Sequence, residues 1–294
     1  MYADVVPYLR CPVCTDPLAA AAGAQPPRTL RCPRGHSFDV ARQGYVNLGG
    51  AATGDTAQMV AARERFLGTG HYTFIATALA EAAGRPGAAP GGDGGGDSAL
   101  VVDAGAGVGH HLAAVLDAAP AAVGLALDAS KPALRRAARA HPRAGAVLCD
   151  TWRRLPLADA CASVVLNVFA PRNGPEFRRV LRPGGLLLVV TPEPEHLVEL
   201  VDTLGLLRVD PEKPARVAAG LGEGFAAADR TPLRRTMRLS HADVLALVGM
   251  GPSAWHADPG ALAARVAGLP STLPVTASVM ITSYRARDVG VDSG

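Results

Sequence analysis

Three cysteines and one histidine near the N-terminus are spaced as the ligands of a single metal ion. Cys11 and Cys14 are separated by two residues, and Cys32 is followed four positions later by His36. Thiolates at this spacing can reach one ion from a tight turn, and a second Cys/His pair completes a tetrahedron around Zn²⁺. A Cys3His shell leaves no ligand position for water, so we expect a structural zinc ion. The alternative is two unrelated thiol pairs, but both pairs contain a Cys-Pro turn.

A glycine-rich turn follows the first apolar run of the central region, at residues 101–109. Glycines there let backbone N–H groups and a helix N-terminus approach a ligand closely. The spacing is G-x-G-x-G with an acid ahead of the first glycine, whereas a dinucleotide fingerprint reads G-x-G-x-x-G. The pattern therefore indicates a cofactor without a pyrophosphate. The residues expected to form its site are Asp103, Gly105, Gly107, Val108 and Gly109.

Two further acids follow the next two apolar runs. Asp128 is placed to accept hydrogen bonds from both ribose hydroxyls of an adenosine, and Asp150 can meet the exocyclic amine of adenine. Alone, either acid would more often be a helix cap. Three acids after three successive strands suit a cofactor with a ribose, a base and a cationic centre but no phosphate. S-adenosylmethionine has that description, so the combination predicts a methyl-donor site.

The composition excludes several classes of protein. The 294 residues carry a formal net charge of +3, which is too small to indicate nucleic-acid binding by itself. No apolar run reaches the roughly 18 residues of a membrane helix, and the N-terminus lacks the features of a signal peptide. Cys149 and Cys161 lie in apolar surroundings and are expected to be packed thiols. These features predict a cytoplasmic protein with no membrane partner.

Short apolar runs alternate with helical patterns, which is typical of a parallel α/β sheet covered on both faces. Ser130 before a Lys-Pro pair is a helix start signal, because a hydroxyl caps free N–H groups and the first turn tolerates proline. Strands are predicted at 100–104, 122–127, 146–149, 163–168 and 186–191. Helices are predicted at 108–118, 131–140, 174–181, 195–204 and near 241–249. An apolar run at 275–284 is expected to complete the sheet as an antiparallel edge strand.

Three regions follow from this pattern. Short strands are expected at 37–40 and 44–48, helices over 56–83 with a break at 68–72, and a disordered Gly/Pro/Ala-rich loop at 84–96 that cannot bury a core. The chain divides into a zinc-binding module at 1–48, a connector with helices at 49–98, and a methyltransferase domain at 99–294. The fold class is α/β, with a Rossmann-like class I methyltransferase sheet.

Several stretches of this sequence resemble those of the bacterial 23S rRNA (guanine-N1)-methyltransferases, a group that includes a tylosin-resistance enzyme of macrolide producers. The resemblance covers nearly the whole chain. It rests on the Cys-x2-Cys pair, the glycine loop and the runs at 32–48, 59–63, 70–72, 167–171 and 191–197. By this likeness the four N-terminal ligands hold zinc. The same likeness implies that the methyl donor is contacted by Tyr72, Gly107, Val108 and His196.

The resemblance also implies a substrate and an assembly. Members of this family methylate one guanine in a hairpin loop of 23S rRNA near the macrolide-lined exit tunnel. The resemblance further implies a homodimer whose zinc modules help to shape an RNA cleft. Segments 110–111, 169–173 and 251–256 are closer to the macrolide-producer branch. Phe169 and Trp255 are candidates for stacking on a base, although packing roles suit them equally well. The zinc-module arginines expected to face phosphates are Arg28, Arg31, Arg34 and Arg42.

Two other functions suit parts of the pattern. A nucleotide-dependent oxidoreductase would use a similar sheet, but the glycine spacing differs from that of a phosphate-binding loop. An RNA-binding scaffold with an inactive transferase domain would keep the zinc ligands, but the intact acids argue against it. No residue is assigned as the base that removes the N1 proton of guanine, because Asn167 does not accept readily and His196 is better explained as a donor contact.

Overall fold

The computed structural model describes residues 1–21, 26–49, 54–85, 99–206, 220–251 and 259–287. Within them, an eight-stranded mixed sheet forms the centre of the molecule, and a three-stranded antiparallel sheet lies in the N-terminal segment. Most of the predicted loop at 84–96 lies outside the described residues. The same is true of Trp255 and of nearly all of segment 251–256.

The N-terminal segment is joined to the central sheet by backbone pairing. It begins with a 3-10 helix, Ala3–Tyr8. Its small sheet consists of β1 (Ala19–Ala20), β2 (Thr29–Arg31) and β3 (Ser37–Asp39). The next strand, β4 (Tyr45–Asn47), instead pairs in parallel with β7 (Ala144–Leu148) at one edge of the large sheet. The strands predicted at 37–40 and 44–48 are both present, and the second belongs to the main sheet.

The large sheet has the strand order β10-β11-β9-β8-β5-β6-β7-β4. Its strands from β4 to β9 run parallel, whereas β11 pairs antiparallel with both β9 and β10. The remaining strands are β5 (Leu100–Ala104), β6 (Val123–Asp128), β8 (Ala162–Val168), β9 (Leu181–Pro192), β10 (Phe225–Ser240) and β11 (Thr272–Ala286). All five predicted parallel strands are present; the first has the predicted bounds, and the other four have shifted ends. The third ends at Leu148, so Cys149 and Asp150 lie beyond it.

The antiparallel edge of the sheet differs from the expectation. The run predicted as an edge strand at 275–284 forms the middle of β11, and β10 lies outside it. Pro232 interrupts the pattern of β10, and proline normally argues against a strand because it lacks an N–H group. An edge strand tolerates proline, since the outer side of its ladder needs no partner. The run at 275–284 pairs antiparallel, as expected, but β10 and not β11 is the outermost strand.

Helices cover both faces of the sheet. The α-helices in the described ranges are α1 (Ala57–Gly68), α2 (Thr73–Ala83), α3 (His110–Ala118), α4 (Lys131–Ala137), α5 (Gly174–Val180), α6 (Val198–Leu204), α7 (His241–Gly249) and α8 (Pro259–Ala267). The helix predicted at 195–204 starts later because Leu197 has a φ of +60°, which a right-handed helix cannot contain. No helix in these ranges combines the length and the apolar character needed to cross a bilayer.

A separate apolar core lies on each face of the sheet. One core is built by α1 to α4 together with α6 and α7. The other includes α5 and the N-terminal segment, in which Leu9, Leu30 and Val46 are fully buried. Residues 1–48 therefore share a core with the sheet, although the boundaries at 48 and 98 stay predictions. Cys149 and Cys161 are free thiols, as expected.

Candidate functional site

The four predicted metal ligands converge in the N-terminal segment, with their ligand atoms within 4.8 Å of one another. The sulfur of Cys14 lies 3.6 Å from that of Cys32. Nδ1 of His36 lies 3.3 Å from Cys32 Sγ and 3.5 Å from Cys11 Sγ. Tetrahedral zinc with Zn–S bonds of about 2.3 Å requires edges of about 3.5–3.8 Å. The four residues are therefore positioned to bind one metal ion.

Two tight turns bring these ligands together. Cys11 accepts a hydrogen bond from the Thr15 N–H and donates its own N–H to the carbonyl of Asp16. In the second turn, the N–H of Cys32 donates to the His36 carbonyl. Each turn orients its two ligand side chains to the same side. The spacing in the sequence thus becomes one cluster without a long-range constraint.

The arginines of this segment are exposed but are not equivalent. Arg34 forms an ion pair with Asp16 at 3.0 Å, and Asp16 lies beside Cys14 Sγ. This pair links Arg34 to the metal-binding turn, so part of its charge is neutralised. The other predicted phosphate-facing arginines, which are exposed, are Arg28, Arg31 and Arg42.

The glycine loop connects β5 to α3 and is held by β6. Gly105 donates its N–H to the carbonyl of Leu127, and Gly107 donates to the Asp128 carboxylate at 2.8 Å. Gly105 has a φ of +85°, and a Cβ there would lie 2.4 Å from the Cβ of Ala170. A side chain at this position would therefore clash with the loop that follows β8. The glycine brings the ends of β5 and β8 together.

The end of the loop begins α3. Val108 is almost fully buried, and Gly109 is the N-terminal cap of the helix with a φ of +81°. Only a residue that tolerates positive φ can make this turn at low cost. The first N–H groups of the helix consequently point toward the carboxyl ends of β5 and β6, where a ligand is expected.

Two of the three predicted acids lie beside this loop, with Asp103 buried and Asp128 half-buried. Asp128 accepts N–H bonds from Gly107 and Ser130, at 2.8 and 2.7 Å, and each carboxylate oxygen keeps a second lone pair. Its pKa is raised by burial, which outweighs these hydrogen bonds. Asp103 is fully buried, and neither of its oxygens has a hydrogen-bond partner among the residues described. Burial, with a smaller contribution from Asp128, raises the pKa of Asp103 to about 7.

An unpartnered buried carboxylate is costly for a fold, because buried polar groups are normally hydrogen-bonded. Asp103 therefore fits a site whose ligand brings a cationic or N–H group. Asp150 differs from it. Its carboxylate accepts the Trp152 N–H at 3.0 Å and pairs with Arg153 at 3.4 Å. Its predicted contact with adenine stays a prediction.

Three aromatic rings form a cluster beyond β8 and β9. The Tyr72 hydroxyl lies 3.2 Å from His196 Nε2. The ring centre of Phe169 lies 6.3 Å from that of Tyr72 and 6.0 Å from that of His196. Phe169 has a φ of +51° and is 41% exposed, whereas Tyr72 is buried. The chain thus holds one aromatic ring open to solvent at the end of β8.

A backbone contact sets the tautomer of His196. Its Nδ1 accepts the N–H of Ser278 at 3.2 Å, so the ring proton of the neutral form lies on Nε2. That Nε2–H donates to the Tyr72 oxygen, which directs the hydroxyl hydrogen to another acceptor. Burial raises the pKa of Tyr72 above its ordinary value, so the hydroxyl stays protonated. Tyr72 and His196 therefore present one oriented O–H donor.

Sequence reasoning gave no role to Arg63 and Asp55, which lie against the glycine loop. Arg63 donates to the Asp55 carboxylate and, at 3.0 Å, to the carbonyl of Met250. A Cβ on Gly107 would lie 3.3 Å from Nη1 of Arg63. The hydroxyl of Ser130 donates to the Asp55 carbonyl at 2.7 Å. The family-like run at 59–63 includes Arg63, but no local pattern reveals a partner as distant in the chain as Met250.

Known proteins share both parts of this arrangement. A zinc-ribbon family model described as "RlmA, N-terminal" matches residues 9–49, and one described as "Methyltransferase domain" matches residues 102–189. A putative 23S rRNA (guanine-N(1)-)-methyltransferase of Micromonospora griseorubida is 65% identical, over 97% of this chain and 99% of its own length. The chain belongs to the 23S rRNA (guanine-N1)-methyltransferase family.

Two further relatives of this methyltransferase show how far the similarity extends. The 23S rRNA (guanine(748)-N(1))-methyltransferase of Streptomyces fradiae is 53% identical, over 97% of this chain and 99% of its own length. A putative 23S rRNA (guanine-N(1)-)-methyltransferase of Bacillus subtilis is 34% identical, over 65% of this chain and 66% of its own. The methyltransferase is thus an S-adenosylmethionine-dependent enzyme with a zinc ribbon, and the oxidoreductase alternative is excluded. The donor contacts of individual residues stay predictions.

Replacement of Asp128 tests the ribose contact. We expect Asp128→Ala to weaken S-adenosylmethionine binding by about 1–3 kcal/mol, the usual cost of leaving the partners of a charged hydrogen bond unmet. Titration calorimetry measures the change. Because Asp128 also holds the Gly107 N–H, Asp128→Asn serves as a control that keeps one carbonyl oxygen for the loop. Unchanged affinity in both variants would place the ribose contact elsewhere.

Proposed function

We propose that this enzyme methylates N1 of guanine 748 in a hairpin loop of 23S rRNA and thereby confers resistance to tylosin-type macrolides. The observation that carries the acceptor side is the exposed Phe169 ring beside Tyr72 and His196. The choice of guanine 748 is supported by the Streptomyces fradiae relative, which is 53% identical over nearly the full length of both chains. The resistance role is supported by the resemblance of 110–111 and 169–173 to the macrolide-producer branch.

The donor side of the proposal uses the two acids Asp103 and Asp128 and the glycine loop between them. S-adenosylmethionine supplies, when bound, an electrophilic methyl group on a positively charged sulfur. Asp128 would offer its remaining lone pairs to the ribose hydroxyls, and the buried Asp103 carboxylate would stabilise positive charge on the donor. The backbone at Gly107 and Val108 would complete this side of the site, as the family resemblance implies. Tyr72, oriented by His196, donates a hydrogen bond to the bound donor.

The acceptor side uses the open ring of Phe169. A guanine in a loop can leave its stack and pack on an aromatic face, and the cost of unstacking is smallest when the base is already unpaired. Phe169 follows β8, and ligands of such sheets bind beyond the carboxyl ends of the strands. A base on Phe169 would therefore lie beside the donor that Tyr72 and His196 are proposed to contact. Holding N1 in line with the methyl group supplies most of the rate gain.

Two Phe169 variants test the acceptor side. Stacking of a base on an aromatic ring is worth about 1–3 kcal/mol, so Phe169→Ala is expected to lower kcat/KM for the hairpin by about 5- to 150-fold. Donor affinity should stay within twofold of the parent, and Phe169→Tyr should keep most of the activity because it keeps the ring. Methyl transfer from labelled donor to a synthetic hairpin measures these rates. Equal rates for the parent and Phe169→Ala would show that the target guanine does not stack on Phe169.

The site of modification is tested in cells. Mass mapping of 23S rRNA from a sensitive host, with and without the gene, should show one new methylguanine at position 748. Tylosin resistance should rise with the gene and should be lost with Phe169→Ala. Modification at another nucleotide would refute the position, and modification without resistance would refute the biological role. A cytoplasmic homodimer is also part of this proposal, on the family resemblance alone, and light scattering measures the assembly.

A further inference from the structure

A groove of about 480 Å³ opens between α2 and β10. Its walls include Phe74, Thr77 and the exposed residues Arg234 and Arg235. The guanidinium carbon of Arg235 lies 5.9 Å from the centre of the Phe74 ring, which is a cation–π contact. Glu81 is the acidic residue of the lining. The groove therefore combines an aromatic surface with two arginines.

The exposed arginines of β10 are not neutralised by acidic side chains within hydrogen-bond reach in the residues that the structure describes. In the part of the chain that the structure describes, none of the four forms an ion pair or donates a side-chain hydrogen bond. The hydrogen bonds from Thr276, and more weakly the charge of Arg234, lower the pKa of Glu199 despite its partial burial, but the Glu199 oxygens are already bound to Thr276. Arg179, by contrast, is paired with both Glu176 and Asp159. The four exposed β10 arginines are Arg230, Arg234, Arg235 and Arg238.

Strand register places the groove on the ligand-binding side of the sheet. Pro192, the last residue of β9, pairs with Val279 of β11. Arg234 pairs with Ser278, one position further along, and Ser278 is the residue whose N–H holds His196. Arg234 and its neighbour in the groove therefore lie just beyond the carboxyl end of β9. The donor site is predicted at the same side of the sheet.

The aromatic wall of the groove continues into the ring cluster. The ring centre of Phe74 lies 6.2 Å from that of Tyr72, and Tyr72 lies 6.3 Å from Phe169. Phe169 and Phe74 therefore lie on either side of the buried Tyr72 ring, so a polynucleotide whose base reaches Phe169 has the groove as a neighbouring surface. Phosphate groups repeat along such a chain within the reach of an arginine side chain.

The groove and the zinc ribbon lie at opposite edges of the sheet. β10 is three strands from β8, and β4 is four strands from β8 on the other side. At a strand spacing of about 4.8 Å, the edges lie about 14 and 19 Å from β8. Measured across the sheet, the β10 groove is therefore nearer to the proposed acceptor site than the edge at which the zinc-ribbon segment pairs.

We propose that this groove binds the phosphate backbone of the substrate RNA beside the target guanine, with Arg234 and Arg235 contacting phosphates. The inference rests on the proposed function and adds a second RNA contact to that expected of the zinc ribbon. Guanidinium groups recognise phosphate oxygens through paired N–H donors, and phosphate contacts set the register of a bound nucleic acid. Arginines on an edge strand also discourage pairing with other strands. That role alone would give no salt-dependent RNA binding.

The test is the salt dependence of hairpin binding by the zinc-loaded, full-length protein. Each lost phosphate contact on a single strand reduces the slope of log K against log salt by about 0.7. The double variant Arg234→Gln/Arg235→Gln should therefore bind the rRNA hairpin about 25-fold more weakly at about 0.1 M salt and converge with the parent near 1 M. Its affinity for S-adenosylmethionine should equal that of the parent.

Two further double variants control for charge and for folding. Arg135→Gln/Arg139→Gln removes the same charge from exposed residues near the end of α4, which faces the amino ends of the strands, and should leave the slope unchanged. The double variant Arg234→Lys/Arg235→Lys should keep most of the parent's salt-dependence slope, because it keeps both positive charges. An unchanged slope in the Arg234/Arg235 glutamine variant, or an equal change in the α4 control, would overturn the inference. A loss of donor affinity, or a change of oligomeric state, in that glutamine variant would also overturn it, because either would indicate a structural role.

The parent protein separates failure of this inference from failure of the proposed function. If the parent does not methylate the hairpin, the proposed function fails first. If the parent methylates it and the glutamine variant matches the parent in both slope and rate, only the groove assignment is wrong. The two results cannot be confused.

Discussion

Cys14→Ser is expected to abolish stoichiometric zinc binding and to lower the free energy of unfolding of the whole protein by at least about 3 kcal/mol. Coordination free energy is folding free energy for the segment that the metal organises. Here that segment includes Leu9, Leu30 and Val46, which are fully buried in the core on one face of the sheet. Loss of the ion should therefore reach the sheet through this core and through β4. Metal analysis and denaturant unfolding measure the two effects.

Cys161→Ser is the matched control, because Cys161 is a half-buried thiol outside the metal cluster. It should retain one zinc per chain and unfold close to the parent. Hairpin binding should fall in Cys14→Ser but not in Cys161→Ser. Full zinc occupancy in Cys14→Ser would contradict the ligand assignment. Loss of zinc with unchanged stability would show that the N-terminal segment folds independently of the sheet.

This expectation differs from what the sequence alone indicates. The spacing of the cysteines predicts a small module that could detach from the rest, because nothing local to residues 1–48 identifies a partner for β4. The pairing of β4 with β7 joins residues that are about 100 positions apart. Zinc ligands are recognisable because their spacing is local, whereas the surface on which the module packs depends on the whole sheet.

The same distinction explains the other results. The parallel strands and the glycine loop follow from apolar runs and short spacings, so the sheet and the positions of Asp103 and Asp128 could be predicted. The contact between Arg63 and Met250 could not, since it joins segments 187 positions apart. The sequence pattern does not predict β10, because proline within a strand is tolerated at the edge of a sheet. Tertiary pairing decides which strand forms that edge. Local chemistry was predictable, and contacts between distant segments were not.

Asp103→Asn is expected to weaken S-adenosylmethionine binding by about 100-fold while making the ligand-free protein more stable at pH 8. The Asp103 carboxyl is buried without a partner, and its pKa is about 7 in the fold, compared with about 3.9 for an ordinary aspartate. Because the folded-state pKa is raised, the fold favours the protonated acid. The stability associated with this group is present below about pH 4 and is lost as the pH rises through about 7.

Asparagine does not ionise, so the variant should not lose this stability. We expect its free energy of unfolding to exceed that of the parent by about 1–4 kcal/mol at pH 8, with the difference vanishing near pH 4. Urea unfolding of the ligand-free proteins at both pH values measures it. A variant that is less stable than the parent at pH 8 would show that Asp103 has a partner in the fold.

Donor binding should have the opposite dependence on the carboxylate. A positively charged ligand binds the ionised acid better, so the parent's affinity should rise between pH 6 and 8, and that rise should be smaller in Asp103→Asn. A loss of about 100-fold corresponds to about 2.8 kcal/mol, within the range for an unmet charged hydrogen bond. If Asp103→Asn is more stable than the parent but binds the donor more weakly, the Asp103 carboxyl destabilises the ligand-free fold and stabilises the complex with the donor. Equal donor affinity in parent and variant across this pH range would assign the burial of Asp103 to the fold alone.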